Sequence, residues 1–351
     1  SIGFHSCPGF KTIIMSPCFV FPCLLRTCPT SPLTRLQPHA PPASSRTSPR
    51  PASVHASASY PNPLGVHSLI FTESWTSESA GAAVSFAARC GYDLIEIPVL
   101  PGAAAVDVAA TRAALDAAGM TAACSLGLSE ETDVSSESEE CVERGLVFLK
   151  GAVDVCEGIG AKHLGGLLYS KLGRYEAPVS EKGRENAVRV VKELAKYAKG
   201  KNVTLCLEAC NRYETNVINT ARGAMDFLDR VGEDNVFAHV DFYHMNIEEQ
   251  DAEQAIRLCG ERLGYVHVGE SHRGYLGTGS IDHVRLFRAL AAIDYKGPLT
   301  FESFSSVMSG SLVSTLAAWG EQWTDSEDLI TSARQYMDSQ WTAARRLRKQ
   351  T

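Results

Sequence analysis

The sequence predicts an α/β fold, a single (β/α)8 TIM barrel over residues 65–351 preceded by a disordered segment over residues 1–64. Three observations predict it. Composition changes abruptly near Gly65. From there short β-rich runs alternate with longer amphipathic stretches, which argues a parallel sheet with helices outside it. Four successive strand candidates then end in acidic residues or histidine, about one βα unit apart.

Up to Gly65 the full charges are Lys11, Arg26, Arg35, Arg46 and Arg50, with no acid before Glu73. Twelve of the 16 prolines fall in the same stretch. Rich in Pro, Ser, Ala and Arg and without apolar periodicity, it cannot build a packed core. It reads as a transit peptide, for a plastid first and a mitochondrion second, because its acid-free length exceeds a secretory leader. Met15 reads as the initiator and Val54-His55-Ala56 as a processing site. The apolar stretch from Thr12 to Leu25 is broken by Pro17 and Pro22 and is too short to span a bilayer, so no membrane association is expected. With the whole chain at −7, the remainder carries about −12, which opposes a nucleic-acid partner and suits a small-molecule enzyme. Four of the 11 cysteines lie in the leader and the others form no CxxC or regular framework, so a reducing compartment is expected.

The first strand is expected at Val66–Thr72 and the first helix at Ser77–Arg89; Leu94–Pro98 and Val106–Ala118 form the second unit. Thr121–Leu126 with Glu139–Glu157, His163–Leu168 with Glu185–Ala198, and Val203–Glu208 with Ala221–Arg230 continue the alternation. Val236–Asp241, Tyr265–Val268 and Leu299–Glu302 complete eight strands, and Ile281–Ala292 is helical. Eight units over roughly 285 residues match the usual size of such a barrel. An open doubly wound sheet is the competitor, weakened because no GxGxxG follows the first strand. Beyond the eighth strand, Trp319, Trp323 and a charged helix from Asp325 to Lys349 either cover the barrel bottom or pack against a second subunit.

The strand ends carry the chemistry. Glu208 closes LCLE, Asp241 closes FAHVD, His267 lies in YVHV and Glu302 closes LTFE, with spacings of 33, 26 and 35 residues. One carboxylate after an apolar run is ordinarily a helix cap or a surface group; four donors in register converge on the catalytic mouth. Three oxygen donors and one imidazole favour Mn2+, Co2+ or Mg2+ over zinc, with Mn2+ first.

The blocks LEACNRYETNVINT, VDFYHMNIEE, HVGESHRGYLGTGSID and FESF resemble the family of D-tagatose, D-allulose (psicose) and L-ribulose 3-epimerases, from about Val66 to the C-terminal helix. The resemblance implies a divalent metal on Glu208, Asp241, His267 and Glu302, with Glu208 and Glu302 also the acid/base pair. It implies substrate contacts from Glu214, His244 and Arg273, and homodimers or homotetramers. The expected reaction inverts C3 of a ketose: the cation polarises the C2 carbonyl, one glutamate takes the C3 proton and the other returns one from the opposite face. Pocket caps are expected from Phe71, Trp75, Gly165-Gly166, Tyr169 and Phe304, and Tyr169 resembles the L-ribulose 3-epimerase branch.

His239 reads as a core or supporting histidine, Cys206 and Cys210 as small buried hydrophobes, and Glu270 as a structural partner of the Arg273 loop. A two-metal aldose–ketose isomerase would need a second ligand set, and an endonuclease would need more histidines and a basic groove. A dehydratase or hydroxypyruvate isomerase on the same barrel is the main enzymatic rival. A barrel that binds without turnover is opposed by the presence of both glutamates.

Overall fold

The computed structural model describes residues 62–72, 74–101, 105–307 and 311–348. The expected transit segment falls, apart from its last three residues, outside the described residues. Those three belong to the barrel: Leu64 is buried in the first strand and Asn62 donates through Nδ2 to the carbonyls of Tyr295 (3.0 Å) and Gly297 (2.9 Å).

In chain order the elements are β1 (Leu64–His67), α1 (Ser77–Arg89), β2 (Leu94–Pro98), α2 (Val108–Ala118), β3 (Thr121–Leu128), α3 (Glu139–Ile159), β4 (His163–Lys171) and α4 (Glu181–Lys199). They continue as β5 (Thr204–Ala209), α5 (Ala221–Val231), β6 (Val236–Asp241), α6 (Phe242–Glu248), α7 (Ala252–Cys259), β7 (Leu263–Val268), α8 (His283–Ala292), β8 (Leu299–Phe301), α9 (Ser311–Thr315) and α10 (Ser326–Arg348). The eight strands are parallel, follow sequence order and close by pairing of β1 with β8. Helix boundaries have local causes. Asp107, Ser138, Ser180 and Thr220 each accept a backbone N–H from the first turn of the following helix, and Gly119, Gly160 and Gly232 end helices in the left-handed conformation.

Alternation along the strands sorts side chains into two cores. Outward-facing Val66, Ile95, Leu205, Leu207, Val240 and Val266 are buried under the helices. Leu94, Ala123, Cys206 and Tyr265 pack together as a separate cluster inside the barrel, beneath the catalytic end. The expected first strand ran too far: β1 ends at His67, whose Nδ1 accepts the Leu69 N–H (3.3 Å) and starts a 3-10 turn over Ser68–Ile70. At the other end, α10 supplies the barrel's eighth helix. It packs along α8 and is tied to neighbouring parts of the barrel by Tyr92 Oη to the Ile330 carbonyl (2.7 Å) and Ser326 Oγ to the Ile70 carbonyl (2.9 Å). Trp323 and Trp341 are buried, whereas Trp319 is exposed. No helix of the described residues is long and apolar enough to cross a membrane, and their seven cysteines are free thiols.

Candidate metal centre

Asp241 is the last residue of β6, Glu208 and His267 are the last but one of β5 and β7, and Glu302 follows β8. All four are buried, and their ligand atoms lie within 4.8 Å of one another. His267 Nδ1 stands at the centre, 3.3 Å from Glu208 Oε1 and 3.5 Å from Glu302 Oε1. It is buried and makes no hydrogen bond, and although burial opposes it, the carboxylates of Glu302, Glu96 and Glu208 raise the ring's pKa well above the ordinary histidine value. Three carboxylates and an imidazole nitrogen without a hydrogen-bond partner, all buried, are a donor set that fits a divalent cation. Asp241 is held by the helix it starts: Oδ1 accepts the Tyr243 N–H (2.8 Å) as cap of α6.

Three further predicted residues meet the cluster. His244 lies three positions into α6 and so stands on the side of Asp241, 3.7 Å from its Oδ2. Its Nδ1 faces two donors of Asn211, the backbone N–H (3.2 Å) and the side-chain amide (2.8 Å), so the hydrogen sits on Nε2. That N–H faces Glu208 at 3.6 Å and Glu214 at 3.8 Å. Burial, with Arg273 and two histidines nearby, keeps His244 neutral. Arg273 sits in the left-handed region (φ 60°), a conformation uncommon outside glycine, and is restrained on every side. Nη1 donates to Asp241 Oδ2 (2.7 Å) and Glu302 Oε2 (2.6 Å), and the guanidinium lies 3.8 Å over the Tyr243 ring and 5.0 Å from that of Phe304. The carbonyl of Arg273 accepts from Ser303 Oγ and from the Phe304 N–H. Glu270 fastens the same loop from below, its carboxylate accepting N–H groups of Ser271, Gly277 and Ile281.

The electrostatics separate the two glutamates. Burial, only partly offset by His267, pushes Glu208 up to about 7, with Glu302 and Asp241 adding repulsion. Glu302 is also buried, but His267, Arg273 and His67 outweigh that and hold it below the usual carboxylate range. One carboxyl is thus disposed to carry a proton while its neighbour is ionised.

The centre forms the floor of a cavity of about 440 Å3. Glu214, His244, Arg273 and Phe304 line its polar side; Leu69, Pro98, Leu100, Leu128, Leu172 and Leu316 line the other, and Lys171 pairs with Glu130 there. Of the expected caps, Gly166 and Phe304 reach the cavity. Tyr169 does not. It is fully buried behind β5, where its hydroxyl donates to the Glu208 carbonyl and its ring packs on Phe227. The cause is a register shift at the end of β3, where pairing passes from Gly127–Leu167 to Leu128–Lys171, so alternation no longer carries Tyr169 inward. Trp75 is in the outer core, donating to Thr111 Oγ1 (2.8 Å), and Phe71 packs on Phe86. His239 is fully buried at 4.3 Å from the His267 ring, a supporting position, and Cys206 is packed inside the barrel; Cys210, though buried, also borders the cavity.

Two residues of the centre were not anticipated. His67 lines the cavity 3.9 Å from Glu302 Oε1, and Glu96 lies buried beside His267. Both face the barrel interior, but only His67 ends its strand and so carries the strand-end signal; Glu96 sits in the middle of β2, where alternation alone marks it.

Comparison with known proteins agrees with this geometry. Residues 84–337 match the family model "Xylose isomerase-like TIM barrel". The L-ribulose 3-epimerase of Methylomonas sp. (strain DH-1) is 44% identical over 278 residues, covering 79% of this chain and 97% of the relative. The ketose 3-epimerase of Arthrobacter globiformis is 41% identical over 281 residues, covering 80% and 97%. The crystal structure of a D-allulose 3-epimerase from Methylomonas sp. in complex with D-allulose superposes with a TM-score of 0.77 at 44% identity, covering 79% of this chain and 96% of that one. The buried acidic cluster at the barrel's mouth and similarity over nearly the full length of these relatives lead to one conclusion: this chain belongs to the xylose isomerase-like TIM-barrel family and, within it, to the ketose 3-epimerases.

Proposed function

We propose that the protein inverts C3 of an unmodified ketohexose or ketopentose, with D-fructose/D-allulose, D-tagatose and L-ribulose as the substrate class. The observation that carries this reading is the pair of buried carboxylates, Glu208 and Glu302, flanking one imidazole nitrogen on the floor of a sugar-sized cavity. A divalent cation held by Glu208, Asp241, His267 and Glu302, Mn2+ in our reading with Co2+ or Mg2+ as substitutes, supplies Lewis-acid polarisation of the C2 carbonyl. One of the two glutamates, Glu208 and Glu302, takes the C3 proton and the other returns one from the opposite face through a cis-enediolate, and the substrate epimer decides which acts first. Arg273 and the His244 Nε2–H donate to the oxygen that gains negative charge, and Glu214 orients hydroxyl groups. The apolar wall excludes water from the reacting carbon and receives the distal carbons.

The experiment is NMR of D-fructose, D-tagatose and L-ribulose incubated in D2O with the full chain and Mn2+. A 3-epimer carrying deuterium at C3 is expected. An aldose product would replace this reading with an isomerase, and metal binding without turnover of any ketose would replace it with a dehydratase or a binding protein. Assembly as a homodimer or homotetramer and import into a plastid are further parts of the proposal, supported by the family resemblance and by the acid-free N-terminal composition. Light scattering and a fluorescent fusion of the full chain test them.

A further inference from the structure

The centre has a polar foundation inside the barrel that the ligand set does not explain. Glu96, on β2, is 1% exposed, and its carboxylate faces His267 Nε2 at 2.9 and 3.1 Å, the ring nitrogen opposite the unpartnered Nδ1. It is fixed from behind by the hydroxyl of Tyr265, which donates to Glu96 Oε2 (2.8 Å) and also meets Thr300 Oγ1 (2.7 Å). A buried carboxylate inside a barrel is costly unless it is paired, and the basic group in hydrogen-bond reach of it is the imidazole at the heart of the acidic cluster.

We propose that Glu96 is the positioning residue of the cation site. It accepts the Nε2 hydrogen of His267 and so holds the ring in the tautomer whose Nδ1 lone pair faces Glu208 and Glu302, and it makes that nitrogen a stronger donor. The inference rests on the metal-centre reading above and adds a member to it. A metal-bound imidazole is held in orientation by the acceptor on its other nitrogen, and such acceptors change cation affinity about 10–100-fold. Glu96 also brings a fourth buried carboxylate close to the cation position, which strengthens attraction for a divalent ion.

His67, Glu96 and Glu302 also bring ligand-type atoms within 4.8 Å of one another, and this set has a different role. The Leu69 N–H donates to His67 Nδ1, so the His67 hydrogen is on Nε2, 3.6 Å from Glu96 Oε1 and 3.9 Å from Glu302 Oε1. A nitrogen that carries a hydrogen is a donor to carboxylates and has no lone pair for a cation. His67 therefore completes the surroundings of Glu96, and the three residues are not a second metal site.

The test is Mn2+ binding to the chelator-stripped full chain, followed by loss of the free-ion EPR signal, for wild type, Glu96→Gln and Tyr265→Phe. Gln keeps the shape and an acceptor for His267 while removing the charge. The expected result is Mn2+ affinity about 10–100-fold weaker in Glu96→Gln and three- to tenfold weaker in Tyr265→Phe. Metal-free Glu96→Gln should keep the wild-type far-UV circular dichroism even if it unfolds at a lower temperature, since one partner of a buried pair has gone. The affinities are therefore compared between folded chains, and conservative Gln tests the charge and not the shape. Affinity within threefold of wild type in Glu96→Gln would overturn the proposal and leave the metal centre standing. If Glu96→Gln does not fold, Tyr265→Phe carries the test, and unchanged affinity there overturns it. A wild type that binds no Mn2+ would overturn the metal-centre reading together with this inference.

Discussion

Glu208 and Glu302 are alike in sequence context, each closing an apolar strand, yet their surroundings divide them. Burial dominates at Glu208, whereas His267, Arg273 and His67 prevail at Glu302. Each glutamine substitution keeps an oxygen ligand but removes the proton-transfer group, so kcat should fall about 10^3-fold in either single variant. Steady-state kinetics at saturating Mn2+ checks this, and a variant within tenfold of wild type would remove the two-carboxylate mechanism. Arg273→Ala should behave differently. Its guanidinium is bonded to two of the carboxylates that would hold the cation, so removing it takes away a competing positive charge as well as a donor to substrate. Turnover, kcat/KM, should drop about 10^2-fold while Mn2+ is retained as tightly as before or more so; loss of the metal would show that Arg273 assembles the centre instead. The convergence of Glu208, Asp241, His267 and Glu302 was legible because a donor at the end of each apolar run is a signal that survives small boundary errors. His67 was missed for the opposite reason: with the first strand drawn to Thr72, His67 lay near its start and not at its catalytic end.

At the scale of elements, the site depends on places where regular structure is broken. In β4, Gly166 has φ 99° and borders the cavity, and a Cβ there would come 2.2 Å from the Leu126 carbonyl oxygen. Both the backbone conformation and the space exclude a side chain. Gly166→Ala should destabilise the fold by about 2–4 kcal/mol, read as a lower denaturant midpoint, and a neutral result would mean that β4 can flatten. The irregular join of β3 and β4 is also where sequence reading failed. Strict alternation sends Tyr169 inward with Gly165 and Leu167, but alternation holds only while pairing register does, and the shift after Gly127 is invisible in composition. A second break, the Arg273 loop, was better signalled, because Glu270 follows a strand-ending glycine and can reach backbone donors. Glu270→Ala should leave three N–H groups without their acceptor and loosen the loop. Here kcat/KM should fall about 10–100-fold with Mn2+ affinity unchanged, since none of the four ligands lies on the loop itself.

For the molecule as a whole, the barrel's interior makes stability depend on pH in a calculable direction. His163 begins β4 at the end of the barrel opposite the ligands, its ring 5.7 Å from that of Tyr265. Burial lowers its pKa to about 4, with only a small opposing pull from Glu96. His239 and His283 are lowered by burial as well. A histidine whose folded pKa lies below its unfolded value near 6.5 costs nothing above about pH 6.5, where both states are neutral. As pH falls the unfolded chain takes up the proton first, so stability is lost progressively from about pH 6.5 down to the folded value of about 4. For His163 alone the loss should be on the order of 2–3 kcal/mol. Denaturant unfolding of the metal-free chain at pH 7.5, 6 and 4.5 measures it, and His163→Gln should flatten that part of the profile whatever the substitution does to stability at pH 7.5. Equal slopes in the two proteins would mean that His163 is protonated in the folded barrel, and the acid sensitivity would then have to come from other buried groups, among them His67, His239, His244 and His283, whose burial is more complete.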